Sequence, residues 1–275
     1  MAGKQRSFTV FTIATGKYIH YFEDLYYDLS GCLDFVDSID IILLTDQNFI
    51  PKEGIAERPI RLRKFYASYD GWIFATLMRY REILRFENEL PDQNTIWLDA
   101  DMRIVNPEIF CREILNMKHL TFSRHPGHVF SFRKHSGESY KIKIFLIASI
   151  LKRLLTGQFF SGEWEESPQS TAYIPPLKRR RLVHGAVWGG TRRQVIEMCT
   201  ELNDAVNEDL KRKYVAVWHD ESHLNRYFSA RKHQYRYFSR YFVGADSLTF
   251  TRGKSALWSV DKKKIDLEKD LRTDI

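Results

Sequence analysis

The run Ile96-Trp97-Leu98-Asp99-Ala100-Asp101 constrains this chain more than any other, because an apolar stretch that reads as a buried strand ends abruptly in two carboxylates one residue apart. Side chains alternate along an extended backbone, so Asp99 and Asp101 are expected on one side of the chain, able to share a ligand. Two unpaired carboxylates at a strand end are costly unless a cation joins them. Hard oxygen ligands suit Mg²⁺ or Mn²⁺, which take one or two protein carboxylates and complete their shell with substrate phosphates. Two nearby aspartates also occur on many surface loops, so the pair gains meaning only from its surroundings.

Those surroundings repeat the pattern. Phe8 to Ile13 is rich in β-branched and aromatic residues and is followed by the break Thr15-Gly16, which predicts a first strand and then a helix from about Lys17. Ile39 to Thr45 is a second apolar run, closed by Asp46, and Ile60 to Phe65 alternates with basic residues as an edge strand does. Between Trp72 and Phe86 the positions Ile73, Leu77, Tyr80, Ile83 and Leu84 recur at helical spacing, so a second helix is expected ahead of the Asp99 strand. Strands alternating with helices predict an α/β fold: one domain built on a Rossmann-like, mostly parallel sheet flanked by helices. Ligands in such sheets bind beyond the carboxyl ends of the strands, where Asp46 and the Asp99-Asp101 pair both fall.

At 275 residues, 44% apolar and 28% charged, the chain has the composition of a folded domain with a substantial core. Its 42 Lys and Arg against 35 Asp and Glu leave a net charge of +7, which favours an anionic partner: a phosphate-bearing substrate, a membrane surface or nucleic acid. No nucleic-acid-binding module or aromatic-interleaved basic strand stands out, so nucleic acid is not expected. Cys32, Cys111 and Cys199 lack the close spacing of a zinc or redox motif and read as reduced core residues. The amino terminus leads directly into the first strand with no secretory signal, and no run approaches the ~18 apolar residues of a transmembrane helix. Residues 140–155 read either as an amphipathic helix in peripheral contact with an anionic membrane or as a core or partner-facing helix. Lys178-Arg179-Arg180-Arg181 reads as a solvated face or a phosphate contact.

A second constellation is Trp218-His219-Asp220-Glu221-Ser222-His223-Leu224-Asn225, four ionisable side chains and an aromatic in one short stretch. On a surface helix this is a polar face; in a cleft it offers a carboxylate for chemistry and imidazoles to position it, with His223 the most structural of the group. This string resembles the signature of glycosyltransferase family 6, the retaining enzymes of the histo-blood group A and B and α-1,3-galactosyltransferase type. Phe11-Thr12-Ile13 and Gly16-Lys17-Tyr18, with Ala14 and Thr15 extra between them, resemble its uridine-binding strand and loop. Leu44-Thr45-Asp46-Gln47, Trp72 with Arg79, and Asp99-Ala100-Asp101-Met102 are similar to its next strand end, donor-site helix and metal motif. His125-Pro126-Gly127 resembles an acceptor-side turn, and Ser170 to Pro175 with His184 to Gly190 the donor-sugar pocket.

The resemblance covers residues 8–228 and implies a GT-A type fold, with a catalytic domain over residues 1–243 and a basic tail over 244–275. A segment of about 131–160 reads as inserted, and Lys178 to Arg181 replaces an acidic and aromatic stretch. The resemblance implies Glu221 as the catalytic carboxylate and Mn²⁺, or Mg²⁺, held by Asp99 and Asp101. Phe11, Ile13, Tyr18, Arg79, Asp220 and the triplet His184-Gly185-Ala186 then bind the UDP-sugar, with the triplet leaning toward galactose over N-acetylgalactosamine. His125, Trp218, His219 and Glu221 face an oligosaccharide or glycolipid acceptor. Family members close a basic carboxyl-terminal tail over the diphosphate, which Arg252, Lys254 or Lys262-Lys263-Lys264 would supply. The implied location is cytoplasmic or membrane-peripheral, or the Golgi lumen if the sequence is a truncated type II membrane protein. The competing reading is a non-catalytic carbohydrate- or anion-binding protein on a transferase fold.

Overall fold

The computed structural model describes residues 6–51, 59–125, 164–179, 182–231, 234–245 and 253–260. The expected insert at 131–160 with its apolar run at 140–155, and also Pro126, Gly127, Arg180, Arg181 and Lys262 to Lys264, lie outside them. The strands are β1 (Ser7–Ile13), β2 (Ser38–Thr45), β3 (Ile60–Tyr66), β4 (Asn94–Leu98), β5 (Met102–Ile104), β6 (Leu120–Arg124), β7 (Val183–Thr191), β8 (Tyr235–Tyr237), β9 (Val243–Ala245) and β10 (Leu257–Ser259). The helices are α1 (Tyr18–Gly31), α2 (Trp72–Leu77), α3 (Arg79–Arg85), α4 (Pro107–Leu115), α5 (Arg192–Lys211) and α6 (His219–Ala230).

Seven strands form one sheet in the order β3-β2-β1-β4-β7-β6-β8, with β3 at the edge as its basic alternation predicts. The β3-β2-β1-β4 half is parallel, and β7 then runs antiparallel to both β4 and β6. The central strands are apolar throughout because each of their faces meets a different core. Val10, Ile41, Ile96 and Leu98 pack with Phe22, Leu25 and Phe110 of α1 and α4. Phe11, Ile42, Leu44 and Trp97 pack on the opposite face with Tyr80, Ile83, Val195 and Leu202 of α3 and α5. Each such side chain contributes ~1.5–3 kcal/mol of burial, and this two-sided layering holds the strand ends in place.

Capping fixes the helices that frame the site. Asn106 accepts from the Ile109 amide ahead of Pro107 at the start of α4, and Thr191 and Gln194 close a reciprocal capping box on α5. The β4–β7 contact depends on a glycine. A Cβ on Gly189 would sit 2.6 Å from the Thr95 carbonyl oxygen, so only glycine allows the two backbones this close.

Two features differ from the sequence reading. The helical stretch between Trp72 and Phe86 is two short helices meeting at Met78, which lets Arg79 begin a helix directed at the site. Asp99-Ala100-Asp101 is a turn, not extended chain: the Met102 amide donates to the Asp99 carbonyl at 3.1 Å. The turn forms because β4 ends and β5 leaves for a separate sheet, so period-two alternation no longer governs the pair. Strand β10 sits between β5 and β9 in a separate three-stranded sheet. Among the described residues, no helix is long and apolar enough to cross a membrane.

Candidate active site

Beyond the carboxyl ends of β1, β2 and β4 lies a cleft of about 360 Å³, bounded by Ile13, the turn Thr15 to Tyr18, Asp46, Thr76, Arg79, Trp97 and Asp99 to Asp101. Gly16 makes the turn after β1 possible: it takes a left-handed φ of 55°, and its amide donates to Asp46 Oδ1 at 2.8 Å. The strand end at Asp46 thereby braces the loop that carries Tyr18.

Arg79 is the hub of the site and is 97% buried, with 3% of its surface exposed. Its guanidinium donates to the Gly185 carbonyl at 2.7 Å, lies 3.1 Å from Asp220 and 3.4 Å from Asp99, and stacks 4.6 Å over the Trp97 ring. One buried cation therefore ties the end of β4, the middle of β7 and the start of α6 together. Asp99 is fixed further by the Trp97 indole, which donates to its Oδ1 at 2.7 Å, and by its own amide, which donates to the Ala186 carbonyl at 3.0 Å. These contacts bring His184-Gly185-Ala186 alongside the two-carboxylate turn, although more than eighty residues separate them.

Helix α6 delivers the second constellation. It begins at His219, a non-glycine residue with a left-handed φ of 46°, so its first turn carries Asp220 and Glu221 where the positive end of the helix dipole favours carboxylates. Glu221 Oε2 accepts the Gly185 amide at 2.6 Å. The Tyr80 hydroxyl donates to the Asp220 carbonyl oxygen at 3.0 Å. Burial pushes the Glu221 carboxyl up to about 8; Asp220 and Asp99 add to this, while the Gly185 amide and Arg79 oppose it. Burial likewise lifts Asp220 to about 6, with Asp99 adding to it and Arg79 opposing it. His125, at the end of β6, brings Nε2 to 4.0 Å from Glu221 Oε1 and sets its ring edge-on to His184 with centroids 4.9 Å apart. Burial lowers the His219 pKa, and Trp218, nearly half exposed, stands at the rim.

Most of the sequence-predicted residues converge. Ile13, Tyr18, Arg79, Asp99 and Asp101 line the cleft. His184, Gly185, Ala186, Asp220, Glu221 and His125 join them through the contacts above. Phe11 does not line it: wholly buried, it stacks on Trp97 at 6.0 Å and packs on Phe86, forming part of the floor. The Trp72 backbone starts α2, and its side chain lies outside the described structure. Ser170 and Thr171, read as part of a sugar pocket, hydrogen-bond to the buried Asp209. Arg179 turns inward from the basic run, donating to the Ile174 carbonyl and pairing with Glu166. Sequence reasoning missed Thr76, Tyr69 and the buried carboxylates Glu165 and Asp209, which belong to no local motif.

Asp99 and Asp101 suit a hard divalent cation in donor chemistry. Among the described residues no cluster of three or more His, Cys, Asp or Glu side chains is arranged to hold a metal ion. Two carboxylates beside an open cleft fit a cation whose remaining ligands come from a diphosphate and water.

A mostly parallel sheet flanked by helices, with a two-carboxylate turn beyond a central strand, is consistent with a GT-A-like single domain. Residues 132–244 match the family model of glycosyltransferase family 6. The chain is 35% identical over 101 residues to histo-blood group ABO system transferase 2 of Rattus norvegicus, covering 37% of this chain and 30% of that one. It is 38% identical over 72 residues to histo-blood group ABO system transferase 1 of the same organism, covering 26% and 21%. It is 35% identical over 69 residues to globoside alpha-1,3-N-acetylgalactosaminyltransferase 1 of Gallus gallus, covering 25% and 20%. The chain thus spans less than a third of the length of these curated relatives. The family match and the relatives together show that part of this chain is similar to glycosyltransferase family 6.

Proposed function

We propose that this chain is a retaining glycosyltransferase. It moves galactose, or N-acetylgalactosamine, from a UDP-sugar to the 3-hydroxyl of a galactoside acceptor with the help of a divalent cation. The observation that carries this reading is the Arg79 hub, which joins the Asp99-Asp101 turn to the His184-Gly185-Ala186 strand and the Asp220-Glu221 helix end around one cleft. The family match and the named activities of the relatives support the same reaction class.

Ile13 and Tyr18 hold the nucleoside at the mouth of the cleft, over the floor that Phe11 forms. Asp99 and Asp101 would hold Mn²⁺, or Mg²⁺, and such a cation would supply positive charge to offset that building on the leaving diphosphate. Asp220 and the backbone around Gly185 bind the transferred sugar, and Ala186 with His184 sets the space at its carbon 2. Transfer breaks the bond between the anomeric carbon and the UDP oxygen. It forms one to the acceptor hydroxyl oxygen, whose proton is released. Retention needs a carboxylate on the face opposite the leaving group, and Glu221 is that group, either as nucleophile or as the charge that stabilises an oxocarbenium-like centre. His125, Trp218 and His219 form the acceptor side. Apolar walls separate the two donor sugars by only ~1–3 kcal/mol, so measurable use of both is expected.

The test is release of UDP from UDP-galactose and from UDP-N-acetylgalactosamine, with Mn²⁺ or with chelator, in the presence of lactose or N-acetyllactosamine. Manganese-dependent release with retained anomeric configuration supports the reading. Protein that binds UDP but releases none from either donor contradicts it and favours the binding-protein alternative. Recruitment to anionic vesicles tests separately for peripheral membrane contact.

A further inference from the structure

We infer that Glu165 is a positioning residue: from behind the site it locks residues 213–219 in one conformation and so sets Trp218 and the first turn of α6 against the acceptor. This rests on the transferase reading above.

Glu165 is 96% buried, with 4% of its residue surface exposed. It is satisfied by three donors. Oε1 accepts from the Ser167 amide at 2.8 Å and the Tyr214 hydroxyl at 2.9 Å, and Oε2 from the Val217 amide at 2.8 Å. Two of these donors belong to the chain that links α5 to α6. That link is bracketed by two non-glycine residues in the left-handed region, Lys213 at φ 56° and His219 at φ 46°. Such residues persist only where their surroundings over-determine them, and they collect at functional sites.

The link presents two different sides. Its backbone turns inward at Val217, whose amide meets Glu165, while the Tyr214 amide closes the end of α5 by donating to the Asp209 carbonyl at 2.9 Å. Its side chains Val215, Val217 and Trp218 are each 42–48% exposed, an apolar rim that runs up to the first turn of α6. A rim of this composition stacks on the apolar face of a sugar ring only if its backbone cannot drift. Trp218 is coupled onward to the catalytic carboxylate, since the Glu221 amide donates to its carbonyl at 2.9 Å and its own amide donates to Ser222 Oγ at 3.0 Å. A gap of only about 10 Å³ separates Trp164 and Glu165 from Trp218 and Glu221.

Glu165 can act as an anchor because its own segment is fixed. Ser170 Oγ and the Thr171 amide donate to Asp209, 1% exposed, at 2.5 and 2.7 Å, and the Thr171 hydroxyl donates to the Ala205 carbonyl at 2.9 Å. The Arg179 guanidinium closes the segment at its other end by donating to the Ile174 carbonyl at 3.0 Å. A buried carboxylate on one stretch thus holds a strained link that bears the acceptor rim.

Glu165→Gln is nearly isosteric, but its amide nitrogen cannot accept, so one of the two sets of donors loses its partner. Tyr214→Phe removes one hydrogen bond and keeps the ring, and serves if the first variant does not fold. In native-state hydrogen exchange, the amides of Val217 and of residues 219–221 should exchange about tenfold faster in either variant, while β1 and β4 amides keep their rates. With UDP-galactose and Mn²⁺, KM for N-acetyllactosamine should rise about tenfold while Kd for UDP stays within about twofold. Unchanged exchange at Val217, or acceptor KM and UDP Kd moving together, overturns the inference. If wild-type protein transfers to neither lactose nor N-acetyllactosamine, the acceptor role falls with the transferase reading. The exchange rates still decide whether Glu165 locks the link.

Discussion

Replacing Arg79 with methionine tests the central claim that one buried cation organises the site. The guanidinium is 97% buried and serves Asp220, Asp99 and the Gly185 carbonyl at once. Without it, Asp220 takes up a proton at neutral pH, since it already sits at about 6 with Arg79 in place against an ordinary 3.8. Holding a neutral carboxyl at pH 7 costs about 4 kcal/mol against that ordinary value, whereas the wild type already bears about 3, so the charge contribution to the loss is about 1–1.5 kcal/mol. The orphaned Gly185 carbonyl adds about 1–2 kcal/mol. The lost stacking on Trp97 adds about 0.5–1 kcal/mol. The expected destabilisation is therefore about 2.5–4.5 kcal/mol, overlapping the range for breaking a buried ion pair. Urea unfolding at pH 7 in chelator, followed by tryptophan fluorescence and far-UV dichroism, measures it. A double-mutant cycle with Asp220→Asn isolates the pair and should show coupling above about 1 kcal/mol. A loss below about 1 kcal/mol, or no coupling in the cycle, refutes the assignment of Arg79 as the hub.

Glu221 carries a raised pKa, so the native state holds its proton more tightly than the unfolded chain. Its contribution is full below about pH 4.5 and is lost as pH rises toward about 8. The metal-free wild type should lose about 1–3 kcal/mol across that window relative to Glu221→Gln, a figure discounted because the side chain keeps 21% exposure; parallel thermal melting curves for the two proteins at pH 5 and pH 8 would contradict this. Glu221→Ala should abolish transfer while leaving calorimetric UDP–Mn²⁺ affinity within about twofold, and normal turnover would remove Glu221 from the chemistry. Asp101→Asn should weaken UDP binding in Mn²⁺ about tenfold or more and leave it nearly unchanged in chelator; an equal loss in both buffers argues against a metal role. Gly189→Ala places a Cβ 2.6 Å from the Thr95 carbonyl and should cost about 1–3 kcal/mol in urea unfolding. A neutral effect there would mean that β4 and β7 are less tightly apposed than the backbone distances indicate.

The sheet was legible because local pattern and global packing agree in its parallel half. Phe8 to Ile13, Ile39 to Thr45 and Ile96 to Leu98 have nowhere to go but the interior, and helical periodicity between them forces a layered α/β arrangement. The Asp99-Asp101 pair and the Trp218 to Asn225 string were legible for a different reason: polar side chains against strongly apolar neighbours stand out by composition. The turn at Asp99 and the break at Met78 were not legible, since each is set by where a neighbouring element leaves the sheet. Phe11 illustrates the limit at a single residue. Its type fits both a nucleoside contact and a core, and only the stacking on Trp97 decides for the floor.

By itself the sequence determined the layered sheet, the strand ends at which a ligand collects, and the residue types available for chemistry, because burial and backbone periodicity act over a few residues at a time. Only the tertiary structure decided that Arg79 meets Gly185 and Asp220 across 106 and 141 positions of chain, and that Glu165 reaches Val217 across 52. These pairings arise from closing the chain around a common core. The energy of a buried charge depends on every group packed against it, so no local stretch of sequence encodes it.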